Sequence, residues 1–165
     1  MTTSTDFISI FSTLSHLPRH EFDRIAARLR EENLIPVGAR GIHAPELSPR
    51  DAAMLFTTMA GSYRPKDALR VAEAYAKLKS QDGSENFLEV LGRLFAHPDQ
   101  AEKVKLLRIC RNITDAAIEF DDGTSKRFEG NSNPLFRLEA LIEGALFHQL
   151  AICIQPGARG PYSIK

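Results

Sequence analysis

The chain has 165 residues, 43% of them hydrophobic and 25% charged, with 21 Lys/Arg against 21 Asp/Glu. That composition excludes a fibrous or wholly disordered chain and supplies enough apolar material for one full-sized domain, or two small ones that lean on each other. A formal charge of zero excludes a whole-molecule field that draws the protein to nucleic acid or to anionic membranes, so any such binding rests on a local patch.

Residues 1–80 hold 11 Lys/Arg and 9 Asp/Glu, and residues 81–165 hold 10 and 12, so neither half is strongly polarised. Cys110 and Cys153 both lie in apolar stretches and read as reduced, buried thiols rather than a disulfide framework. The first residues, Met-Thr-Thr-Ser-Thr-Asp, lack the features of a signal peptide, and no apolar run approaches the roughly 18 residues of a membrane span. The cytoplasm is the expected compartment, with no membrane partner.

Phe7, Ile8, Ile10, Phe11, Leu14 and Leu17 recur at helical spacing and predict a first helix over 6–17, closed by Pro18. Phe22, Ile25, Ala26 and Leu29 mark the buried face of a second, over 19–32, with Asn33 as its terminator. Gly38-Ala39-Arg40-Gly41 then centres a tight turn. Ser48-Pro49-Arg50-Asp51 reads as a cap, a proline in the first helical position and an acid in the first turn, opening a third helix that runs to about Ala60. A fourth runs from Pro65 to near Ser80. The polar linker Gln81-Asp82-Gly83 precedes a fifth built on Phe87, Leu88, Leu91, Leu94 and Phe95 and ended by His97-Pro98-Asp99.

The pattern then changes period. Val104–Arg111 reads as a strand, and Ile118-Glu119-Phe120 leads into Asp121-Asp122-Gly123-Thr124, a hairpin signal with its return strand at 125–129. Leu138, Ala140 and Ile142 alternate with Glu139 and Glu143 as a further strand, and a last helix over 145–154 backs the sheet. The expected fold is α+β: a helical lobe over 1–81, an α+β lobe for packing or self-association over 82–155, and a flexible tail over 156–165.

The functional candidate is the segment 19–56. Opposite its apolar face the second helix presents His20, Arg24, Ala27, Arg28 and Glu31, two arginines around a small residue that lets a backbone approach. Arginine offers bidentate donors to phosphate or guanine, and Arg40 and His43 on the turn stand as further phosphate contacts. The alternative reading is a solvated charged face whose Arg and Glu pair along the helix.

The words Ala27-Arg28-Leu29-Arg30-Glu31-Glu32-Asn33-Leu34-Ile35-Pro36, Gly38-Ala39-Arg40-Gly41 and Leu47-Ser48-Pro49-Arg50-Asp51-Ala52-Ala53 follow one another in an order that resembles the winged helix-turn-helix regulators of the MerR type. The segment also resembles, more loosely, small DNA-binding proteins of phages and mobile elements. The resemblance implies a recognition helix, a short wing and a supporting helix, with DNA-contacting roles for Arg24, Arg28 and Arg40. It carries over no ligand or metal response, because the family's Tyr-Arg-x-Tyr wing, long coiled coil and cysteine loop have no counterpart here.

His16 and His20 are split by Pro18, and no His-Glu-x-x-His or Cys-x-x-Cys pair occurs, so no metal site is expected. Phosphate-binding glycine loops and a Gly-x-Ser-x-Gly elbow are also missing, and Asp121-Asp122 reads as turn chemistry rather than a catalytic pair. The expected function is therefore a non-enzymatic DNA-binding regulatory or packaging protein, without cofactor, acting as a homo-oligomer. The alternative is a protein-interaction module such as an inhibitor or adaptor.

Overall fold

The computed structural model describes residues 2–37, 45–62, 64–130 and 137–156; Gly38 to Gly41, His43 and the tail from residue 157 lie outside the described residues. The fold is α+β, with a helical N-terminal half and a four-stranded antiparallel sheet backed by a helix. In chain order the elements are α1 (Ser4–Ser15), α2 (Arg19–Glu31), α3 (Pro49–Gly61), a single 3₁₀ turn (Pro65–Asp67), α4 (Ala68–Ala76), α5 (Phe87–Ala96), α6 (Pro98–Ala101), β1 (Val104–Cys110), β2 (Asp115–Phe120), β3 (Ser125–Glu129), β4 (Glu139–Glu143) and α7 (Gly144–Cys153).

Side chains next to the helix ends set the boundaries. Thr3 caps α1 by accepting from Asp6 N, and the Asp6 carboxylate accepts in return from Thr3 N, which starts the helix two residues ahead of its apolar pattern. Ser48 and Asp51 form the same reciprocal box at α3, behind Pro49. α2 ends where Asn33 turns left-handed at φ 57°: Leu34 N donates to Leu29 O and Asn33 N to Arg30 O, satisfying carbonyls the helix leaves open.

The helices are assembled around α3, whose residues Ala52 to Gly61 are all buried. Phe56 makes edge-to-face contacts with Phe11 of α1 (5.6 Å), Phe95 of α5 (5.7 Å) and Phe147 of α7 (5.5 Å). Phe7 meets Phe95, and Phe22 of α2 meets Phe11. A second aromatic group, Tyr75–Phe87–Phe128, joins α4 and α5 to β3. One buried cluster runs through both halves of the chain without a break at residue 81.

The sheet order is β3-β2-β1-β4, antiparallel throughout. Leu107, Ile109, Ala116, Ile118, Phe128 and Ile142 face the helices and are buried. The Asp-Gly hairpin forms as its residues predict: Gly123 takes φ 84°, and Asp122 Oδ1 accepts from Thr124 N.

Several boundaries differ from the periodicity: α1 ends at Ser15 rather than Leu17, and the short α6 follows His97 where an end of the helical half is expected. α4 stops at Ala76 rather than near Ser80, because Asn86 Nδ2 takes the Ala76 carbonyl and the chain turns into a short hairpin in which Phe87 N donates to Leu78 O and Ser80 N to Glu85 O. The expected linker at 81–83 is the tip of that hairpin, with Gly83 at φ 73° and the Asp82 carboxylate accepting from Ser80, Ser84 N and Ser84 Oγ, bonds that pull its carboxyl down to about 2. β2 also begins earlier than its alternating residues, at Asp115.

Gly144 opens α7 directly beneath β1: a Cβ there would fall 1.5 Å from the Val104 carbonyl oxygen. Gly92 in α5 differs, since a Cβ would meet the backbone of Arg50 and Pro49 no nearer than 3.6 Å, an ordinary contact. Gly144→Ala is therefore expected to destabilise the fold by about 3 kcal/mol, whereas Gly92→Ala stabilises it by about 0.5–1 kcal/mol through helix propensity. Urea unfolding of the two variants checks the contrast; equal effects would contradict the packing described.

Candidate nucleic-acid interface

The helix proposed to carry function is held from three sides. Phe22, Ile25, Ala26 and Leu29 of α2 are buried, and Arg30, half-buried, donates from Nη2 to Ser4 Oγ at 2.6 Å, tying the end of α2 to the start of α1. α1 and α2 are joined by His16-Leu17-Pro18 alone; His16 adopts φ 55°, and Ser12 Oγ donates to Leu17 O at 2.6 Å to fix the corner. A further tie closes the segment, since Thr3 bridges to Glu46 and Leu47 N donates to Thr2 O at 2.9 Å. Glu46 and Leu47 therefore lie beside the start of α1.

His20, Arg24, Ala27, Arg28 and Glu31 all lie exposed on α2. Their electrostatics are unequal. Arg28 Nη1 sits 3.0 Å from Glu31 Oε2, and His20 Nε2 3.2 Å from Glu21 Oε1, an ion pair when the imidazole is charged. Arg19 pairs with Asp23 at 3.5 Å. Arg24 makes no ion pair with a described residue, which leaves its guanidinium available to an outside anion. The structure brings His20, Arg24 and Arg28 onto one helix; Arg40 and His43 fall outside the described residues.

A second polar cluster went unnoticed in the linear pattern. The sheet face turned away from the helices carries Arg108, Arg127 and Arg137 among Asp115, Glu119, Glu129 and Glu139, around a shallow depression of about 180 Å³ into which the Ala117 side chain faces. Arg108 Nη2 reaches Glu119 at 2.7 Å, and Arg137 Nη1 reaches Asp115 at 3.0 Å. Burial still pushes the Asp115 carboxyl above its usual range, against the pull of Arg137. The signal was present as period-two alternation of charge in 115–119 and 125–129, but its meaning depends on the strand register that sets Arg108 opposite Ala117.

The same face buries its thiol. Burial, reinforced by Glu139 and Asp115, pushes Cys110 up to about 12, and its Sγ lies 3.5 Å from Glu139 Oε1. Beneath it the buried Tyr75 hydroxyl sits 2.5 Å from the Cys110 carbonyl oxygen and 2.9 Å from that of Asp115, so its single proton serves two acceptors.

Among the described residues no group of three or more His, Cys, Asp and Glu is placed to hold a metal ion, and no helix is long and apolar enough to cross a membrane. Comparison of the chain with protein families, with curated proteins and with solved structures finds no match.

Cys110 and Tyr75 make the fold alkali-sensitive. Burial raises both above their ordinary values, so the native state keeps protons that the unfolded chain releases from about pH 8.5 for a thiol and about 10 for a phenol. The associated stability is complete below those values and is lost as pH rises. Unfolding free energy is expected to fall between pH 8 and 11, less steeply for Cys110→Ala above pH 8.5 and for Tyr75→Phe above pH 10. A flat profile for the unmodified chain would contradict the burial of both groups.

Proposed function

We propose that the chain is a DNA-binding protein of the regulatory or packaging kind, working in the cytoplasm, with α2 as the helix that meets the duplex. The observation that carries this is the exposed Arg24, without an ion pair among the described residues, beside Ala27 and Arg28 on the second of two helices joined by a three-residue corner. A helix-turn-helix uses its second helix in the major groove, and this one is anchored at its buried face and by Arg30, so its outward face is rigidly presented. The Thr3–Glu46 bridge ties the described residues that precede α3 to the start of α1, and the sequence between α2 and that bridge bears Arg40 and His43. No catalytic step is assigned.

The protein-interaction reading draws on a different observation, the open sheet face with Leu141 exposed at its edge. An adaptor or inhibitor would use that face and leave α2 idle.

Fluorescence anisotropy with a labelled duplex separates the two. Affinity should fall with salt, and Arg24→Ala should flatten the slope of log affinity against log salt by about 0.9, one phosphate contact. Arg28→Ala should flatten it less, because Glu31 already holds that guanidinium, while Glu31→Ala should tighten binding by freeing it. Absence of duplex binding at about 50 mM salt, where several phosphate contacts give strong affinity, or indifference to all three substitutions, would overturn the DNA reading.

A further inference from the structure

The two edges of the sheet are treated differently. β3 is closed on its outer side by the hairpin at 79–86: Ser80 bridges to Phe128, Gln81 N donates to Arg127 O at 3.3 Å, and Lys126 Nζ reaches Glu85 at 2.5 Å. β4 has no such cover among the described residues; it pairs with β1 on one side alone. Its even-numbered residues spend their backbone groups on β1, since Arg111 N donates to Leu138 O at 2.7 Å and Ala140 and Ile142 lie opposite Ile109 and Leu107. Antiparallel alternation then directs the N–H and C=O of Glu139, Leu141 and Glu143 outward.

An unpaired edge of this kind is a template for another strand. The usual protections are weak here: β4 contains no lysine, proline or bulge, and its Leu141 is 61% exposed, with Leu138 at 40% just before it. What β4 does carry is charge at alternate positions. We propose that this edge is the contact between two copies of the chain, β4 adding antiparallel to β4 about a two-fold axis at Ala140 and joining the two sheets into one of eight strands.

Charge narrows the choice of register. A two-fold pairing that uses the outward backbone groups must place odd-numbered residues opposite odd-numbered ones. Centred on Leu141 it sets Glu139 against Glu143 twice, and centred on Glu139 it sets that residue against itself; like charges directly opposite destabilise a pair. Centred on Ala140 it sets Glu139 against Leu141 and Arg137 against Glu143, with Leu138 against Ile142 on the other face. Both copies then gain an opposite-charge pair, no two carboxylates face each other, and the two Leu141 side chains lie diagonally across the axis, within reach. The strand is thus self-complementary in that register, as a two-fold interface requires.

This assignment stands apart from the reading of α2, and its test uses no DNA. Sedimentation equilibrium of the full chain at about 50 μM should give twice the 18.4 kDa chain mass. Leu141→Glu sets a carboxylate against Glu139 of the second copy and should return the monomer with an unchanged circular dichroism spectrum. Ala140→Cys places its thiol opposite itself at the axis, in a closely spaced pair suited to a disulfide; it should cross-link under mild oxidation. Leu138→Cys, opposite Ile142, should not. A monomeric wild type at 100 μM overturns the proposal, as does a Leu141→Glu dimer or a Leu138→Cys cross-link as efficient as that of Ala140→Cys. Should Leu141→Glu misfold, the two cysteine variants decide.

Discussion

Helix α3 is the constraint from which the rest of the architecture follows. Ten consecutive residues, Ala52 to Gly61, are buried, which a helix reaches only when neighbours cover it all round. Its Phe56 ring touches aromatic rings from α1, α5 and α7, so the helical half and the closing helix of the sheet half share one point of contact. Close-packed rings of this size leave little slack: moving any one helix opens space beside Phe56 that no other side chain is positioned to fill. Among the described residues, the surfaces that α3 does not need include the outward face of α2, the far side of the sheet and the β4 edge.

The local chemistry of the chain was legible wherever a residue acts on its own near neighbours. Ser48-Pro49-Arg50-Asp51 announces the start of α3, Asn33 the end of α2, and Asp122-Gly123 the hairpin, because each of these works through bonds spanning a few residues. The end of α4 was not, since it is set by Asn86, ten residues further on, taking the Ala76 carbonyl. Nor was the start of β2: Ala116 and Ala117 have little strand preference of their own and are extended because β1 and β3 flank them. The charged sheet face was hidden for the same reason. Asp115 and Arg137 stand 22 positions apart, and only the register that lays β4 beside β1 makes them partners.

The candidate interface shows a different limit. Periodicity places His20, Arg24 and Arg28 on one exposed face, and the structure agrees, but their availability turns on rotamers that spacing does not specify. Arg28 is held by Glu31 three residues on, within the same turn, whereas Arg24 has acids near it in sequence and pairs with none of the described ones. Arg30, which looks equivalent to Arg28 in the sequence, is turned inward to Ser4 and serves the fold.

The balance of charge links the two surfaces. Each phosphate neutralised on a duplex releases counterions and adds affinity, so under the DNA-binding proposal a neutral chain whose Arg24 has no ion pair among the described residues would bind weakly as a single copy. The proposed pairing of two copies through β4 would leave α2 untouched, because α2 packs on α1, α3 and α4 and has no part in the sheet. The proposed pair would then carry two candidate contact helices, and the gain would follow from effective concentration: once one helix is engaged the second would meet its phosphates without a further loss of translational freedom. A protein of zero net charge can concentrate modest local patches by symmetry and still avoid the indiscriminate attraction that a strongly basic chain has for every anionic surface.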